Sequence, residues 1–180
     1  KLILCGLYGQ NPSVIESLVE AAKKYKDVVG IDIAGGPRPT DKWGLHHYVD
    51  AYQEAKKYNI GRTVHVSEGR SPQEIIDAIH LLDAQRLGHA CSILEDEGAV
   101  ELVKAKRVVI EACPTSNVHT GIYSSISEHP IKEWIKQKIP VVICADNTLM
   151  SNVTTYQEIS NVKNYCKLNV DELGWCYSSA

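Results

Sequence analysis

Six short, continuously apolar runs alternate with segments of helical period along the 180 residues of this chain. The runs cover residues 2–7, 28–33, 62–66, 86–89, 107–113 and 140–145. Between them, Val14, Ile15, Leu18, Val19 and Ala22 follow a helix opening at Asn11-Pro12, and Tyr48, Val49, Tyr52 and Ala55 share one face of a helix over about 45–58. Ser71-Pro72 caps a third helix with Ile75, Ile76, Ile79 and Leu82 in period, and further helices are expected near 95–105, 129–137 and 154–166, with a fragment after Asn169. Residues 34–39 and 114–117 read as loops, because Gly and Pro punctuate the first and Pro, Thr, Ser and Asn fill the second. Strands without polar alternation are buried on both faces, so the pattern implies a parallel sheet covered by helices.

Two architectures fit that pattern, a doubly wound open sheet and a (β/α)8 TIM barrel. The strand endings favour the barrel. His65, His89, Glu111 and Asp146 all lie at or near the C-terminal end of an apolar run, and barrel chemistry collects at the C-terminal ends of several strands. No Gly-x-Gly-x-x-Gly follows any strand, which weakens a dinucleotide reading. A complete barrel has eight units in about 250 residues, whereas six are counted here. The expectation is therefore one domain over residues 1–180, the C-terminal portion of a barrel with about two N-terminal units outside it.

Composition narrows the partners. A formal charge of −3 gives neither the basic footprint of nucleic-acid binding nor a polybasic face for anionic membranes. No apolar run is long enough to span a bilayer. The six cysteines form no Cys-x-x-Cys pair, and Cys5, Cys91, Cys113 and Cys144 lie in or beside buried runs. Reduced, buried thiols in a cytoplasmic protein are expected.

The candidate chemistry sits at the strand ends. A lone histidine is most often a hydrogen-bonded core or loop residue, and His46, His47, His80, His119 and His129 are read that way. His65 differs by context, since it ends a strand and Glu68 follows three residues later. A neutral imidazole is a good zinc ligand, and a carboxylate just outside the coordination sphere can move protons. His89 could orient a metal-bound water and Asp146 could supply a hard oxygen ligand. Catalytic zinc keeps three protein ligands and an open position, and this chain offers two convincing ones, His65 and Asp146. Glu111 is costly to bury alone and is expected to lock an arginine or backbone groups beneath the site. Cys113 has no base beside it in sequence and reads as a buried thiol. Gly35 and Gly36 make a turn, or let a flat ligand approach a backbone N–H.

These residues resemble the adenosine deaminase family. His65-Val66-Ser67-Glu68 is similar to its His-Ala-Gly-Glu motif, and Arg86-Leu87-Gly88-His89 to its Arg-Ile-Gly-His motif. The segment Glu111-Ala112-Cys113-Pro114-Thr115-Ser116 is similar to its Glu-x-Cys-Pro-x-Ser segment, and Asp146-Asn147 stands at its Asp-Asp pair. Ile31-Asp32-Ile33-Ala34-Gly35 resembles its Asp-Leu-Ala-Gly strand end. The matches keep chain order from the first strand to the last.

The resemblance implies a zinc-dependent barrel that converts adenosine to inosine and ammonia. It implies zinc ligation by His65 and Asp146, proton exchange between Glu68 and purine N1, and positioning of the attacking hydroxide by His89. It further implies that the Gly35 N–H meets N3 and that Asn147 meets N7. Three departures stand out. The family's first-strand His-x-His zinc pair is absent, so weak zinc binding and little activity are expected of this chain alone. Val66-Ser67 replaces a smaller pair. Asn147 replaces the second Asp, but an amide is a permanent donor, and some bacterial members have a similar Asp-Asn form. A 6-aminopurine nucleoside is the expected small-molecule partner. An adenine or AMP-type deaminase and a catalytically incomplete purine-binding segment are the alternatives.

Overall fold

The computed structural model describes residues 1–180. Six strands, β1 (Leu2–Leu7), β2 (Val28–Ala34), β3 (Gly61–Val66), β4 (Arg86–His89), β5 (Val109–Ala112) and β6 (Val141–Ile143), form one sheet in sequential order. Every neighbouring pair is parallel. Sequential order settles the architecture, because a doubly wound sheet reverses its strand order at a switch point and a barrel does not. The chain is thus six units of (β/α) barrel winding, with β1 and β6 each paired on one side only.

Helices cover the outer face. In α1 (Pro12–Lys24) Asn11 accepts from the Ser13 N–H, Pro12 occupies the first turn, and Ile15, Val19 and Ala22 are buried. In α2 (Val49–Lys57) and the 3₁₀ turn before it (Leu45–Tyr48), Tyr48 and Tyr52 are fully buried. Ile75, Ala78, Ile79 and Leu82 are the buried face of α3 (Gln73–Leu82). These side chains meet Ile31, Ile33, Val64, Val66, Leu87 and Ile110, all fully buried strand residues in the same core. Each such residue contributes about 1.5–3 kcal/mol by leaving water. Beyond these lie α4 (Glu97–Lys106), α5 (Pro114–His119), α6 (Ile131–Lys136), α7 (Thr148–Ser151), α8 (Thr155–Tyr165) and α9 (Val170–Ser178).

Three expectations need correction. Residues 114–117 are the start of helix α5 and not a loop. Strand β5 begins at Val109, because Arg107 is the left-handed cap of α4 at φ +55°. Strand β1 is not buried: Leu2, Ile3 and Leu7 are about half exposed, and Cys5 is exposed with them. The reason is packing: β1 has a strand neighbour on one side alone and rests on α1, whereas β6, also paired on one side, is covered by α6, α8 and α9. The other five cysteines are buried or partly buried, and all six are unpaired. No helix is long and apolar enough to cross a membrane.

Candidate active site

Register places the site. His65 on β3, Gly88 on β4, Glu111 on β5 and Val142 on β6 are paired across the sheet, so they share one row on one face. A Cβ on Gly88 would lie 3.0 Å from both Cγ and Nδ1 of His65. The missing side chain lets the imidazole lie across β4. On β2, Asp32 is buried, and its Oδ1 and Oδ2 stand 3.2 and 3.1 Å from His65 Nδ1. A carboxylate accepts, so Nδ1 carries the proton and Nε2 presents its lone pair. Burial works against a charged imidazole here. The hydrogen bond and charge of Asp32, with Asp146 and Glu111 beyond it, outweigh burial and raise the His65 pKa. Tyr8 Oη donates to the His65 carbonyl at 2.8 Å and fixes the strand end.

The other groups reach the site by breaking the strand geometry. Ser67, His89 and Asp146 follow or end their strands in the left-handed region, at φ +51°, +64° and +56°. For residues with a Cβ this costs of order 1 kcal/mol each, and such strain gathers at functional sites. His89 pairs in register with Val66, on the helix-facing side, yet its ring lies 5.0 Å from that of His65. Its Nε2 is 3.9 Å from Glu68 Oε1, and its Nδ1 meets the Asn117 side-chain amide at 3.1 Å. Burial lowers the His89 pKa despite the Glu68 charge, and the neighbouring His65 adds to the drop. Asp146 is held by Ser116, whose Oγ donates to Oδ2 at 2.6 Å.

Ligand atoms of His65, His89 and Asp146 all lie within 4.8 Å of one another. Two imidazoles and a carboxylate are the donor chemistry zinc selects. Asp32 accepts from His65 Nδ1, the usual outer support of a metal-ligating histidine, and leaves His65 Nε2 free to ligate, whereas the Asn117 amide nitrogen donates to His89 Nδ1, so His89 Nε2 carries the hydrogen. The residues present therefore fit a zinc ion.

The three residues line a cavity of about 350 Å³ together with Glu111, Cys113 and Cys144. Glu111 accepts from Arg86 Nη1 at 3.1 Å. Burial still raises its pKa above the usual carboxylate value, with Arg86 opposing. Burial likewise pushes Cys113 well above the ordinary thiol value and Cys144 up to about 12. Burial of this kind disfavours the thiolate, which is the nucleophilic form.

The structure thus gathers His65, Glu68, His89 and Asp146 on one face. Asn147 lies next to Asp146, and its Oδ1 caps α7 by accepting from the Leu149 and Met150 N–H groups at 3.1 and 3.0 Å. Its amide nitrogen remains available. Gly35 follows β2 in left-handed backbone, φ +74°. Sequence reasoning gave no role to Asp32, Asn117 or Ser116, the three residues that orient His65, His89 and Asp146. The signal was present only as polar residues inside motif segments, since each partner lies about thirty positions away. Pairing of Glu111 with an arginine was expected and is seen, although Glu111 lines the cavity rather than lying beneath it.

Known proteins are similar to this chain in sequence and in fold. A profile of the family described as adenosine deaminase matches residues 1–177. An adenosine deaminase of Clostridium botulinum is 35% identical over 167 residues, 92% of this chain and 50% of that protein. One from Vibrio atlanticus is 41% identical over 150 residues, 82% of this chain and 44% of that protein. Among solved structures, an N6-methyl-AMP deaminase from Arabidopsis thaliana superimposes with TM-score 0.84 at 26% identity, covering 98% of this chain and 51% of that one. An adenine deaminase from Arthrobacter aurescens, 18% identical, shares the fold with TM-score 0.87, covering 99% of this chain and 54% of that one. The chain spans about half the length of the curated relatives it matches. With the family profile running over nearly all its residues, the chain belongs to the adenosine deaminase family.

Proposed function

We propose that this chain supplies one part of the active site of a zinc-dependent aminohydrolase that converts adenosine to inosine and ammonia. The observation that carries the reading is the meeting of His65, His89 and Asp146 within 4.8 Å, with Glu68 3.9 Å from His89, at the strand ends where barrel chemistry collects. His65 and Asp146 would hold zinc, which supplies Lewis acidity for water activation. Asp32 keeps the His65 Nε2 lone pair directed outward. His89 Nε2, which carries the hydrogen because Nδ1 accepts from Asn117, would donate to the attacking water oxygen and orient it. Glu68 would give a proton to purine N1 and take one from the water as its oxygen adds at C6, and the remaining hydroxyl proton would leave on the amino group as ammonia. The Gly35 N–H would meet N3, and the free amide nitrogen of Asn147 would donate to N7. The six unpaired thiols fit a reducing, cytoplasmic setting.

A second reading, an adenine or AMP-type deaminase, draws on the fold shared with the adenine deaminase and the N6-methyl-AMP deaminase. Ammonia release by the intact, zinc-loaded protein, compared on adenosine, adenine and AMP, tests both. Highest kcat/KM on adenosine is expected. A preference for adenine or AMP would replace the first reading by the second, and no turnover of any of the three would overturn both.

A further inference from the structure

The turn that carries Glu68 is tied to the helix after it. Ser67 is fully buried and left-handed at φ +51°, a conformation that its Cβ disfavours. Four hydrogen bonds hold the turn in that shape. Glu74, in the first turn of α3, accepts from the Ser67 N–H through Oε2 at 2.7 Å. The other oxygen of Glu74 accepts from Arg70 Nε at 2.8 Å, and Arg70 Nη1 donates to the Glu68 carbonyl at 3.2 Å. The Ser67 hydroxyl donates to the Ser71 carbonyl at 2.7 Å. Outside the turn, Ser92 Oγ donates to the Arg70 carbonyl at 2.5 Å. Arg70 also bears on the loop after β2: a Cβ on Gly36 would lie 2.4 Å from Arg70 Nη1. One carboxylate therefore grips the residue before Glu68 directly and the Glu68 backbone through Arg70.

We infer that Glu74 is a positioning residue that aims the Glu68 carboxylate, acting through Ser67 and Arg70 without touching substrate. The inference rests on Glu68 being the proton-transferring group of the proposed reaction. Misplacing such a group by about 1 Å costs about 100-fold in rate, whereas substrate and metal are held by other residues. The rate should therefore fall while KM and zinc content stay.

Steady-state kinetics of the intact, zinc-loaded protein on its best 6-aminopurine substrate test this. Glu74→Ala is expected to lower kcat about 10- to 100-fold with KM and bound zinc unchanged. Glu74→Gln should recover part of the loss, because its amide oxygen can still accept from Ser67. Ser67→Gly provides a further readout, since glycine adopts this φ unaided: Glu74→Ala should cost less in that background. An unchanged kcat in Glu74→Ala overturns the inference, as does a penalty equal in both backgrounds. If Glu74→Ala fails to fold, Glu74→Gln is read by the same criterion, with wild-type kcat overturning the inference. A wild-type protein that deaminates no 6-aminopurine overturns the proposed function instead.

Discussion

His129 is a buried residue whose protonation the fold resists. It is packed edge-on between Tyr123 and Trp134, with ring centroids 5.1 and 5.0 Å away. Its Nδ1 accepts from the Ile131 N–H at 3.2 Å, and Nε2 has no partner. Burial, with the charge of His89 adding to it, pushes its pKa down to about 3. The folded chain thus refuses a proton that the unfolded chain takes up near pH 6.5. Stability is complete above about pH 6.5 and drains as pH falls toward 3, by at most about 1.4 kcal/mol per pH unit. His129→Asn keeps an acceptor for Ile131 without the titration. In urea denaturation at pH 7 and pH 5, wild type should lose about 2 kcal/mol more than His129→Asn; equal losses would contradict this origin. At this scale the sequence was informative about which groups meet and silent about what aims them. His65, His89 and Asp146 end apolar runs and can be found by reading along the chain. Asp32, Asn117 and Ser116 act across the sheet, and no local pattern marks a polar residue as a partner for one about thirty positions away. The left-handed turn that returns His89 to the inner face is equally invisible to strand alternation.

Among the elements, α5 shows how a distant side chain decides local structure. Pro114, Thr115, Ser116 and Asn117 are turn formers by composition, yet they open a helix six residues long. A six-residue helix is not stable by itself. It is anchored by Glu158 of α8, which is fully buried and accepts from the Thr115 N–H at 2.7 Å and from the Thr115 hydroxyl. Asn161 donates to the same carboxylate at 3.4 Å. The anchor matters to the site because Ser116 and Asn117 stand on α5. Glu158→Ala leaves a buried N–H and hydroxyl without an acceptor, so a loss of about 3 kcal/mol is expected, with Glu158→Gln losing less. Chemical denaturation of both variants checks this; a cost below about 1 kcal/mol for Glu158→Ala would mean that α5 is held by other contacts. By contrast, α1 and α3 were legible from sequence, because their caps and apolar faces are local.

For the whole molecule, the alternation of apolar runs and amphipathic helices was enough to expect a parallel sheet, and the sequential strand order makes it barrel winding. What periodicity could not show is which strands have two neighbours. Strand β1 reads as fully apolar and is half exposed, because burial is a property of the packed sheet and not of the run. The same winding explains why four strand ends separated by up to about eighty residues share one face. In the proposed reaction this face performs metal-assisted deamination with Glu68 as its proton carrier. The most direct measurement is ammonia release from adenosine by the intact protein, wild type against Glu68→Gln, with zinc content measured on both. The expected result is zinc retained and kcat lowered about 100-fold or more in the variant. Undiminished kcat in Glu68→Gln at equal zinc content would contradict a proton-carrying role for Glu68.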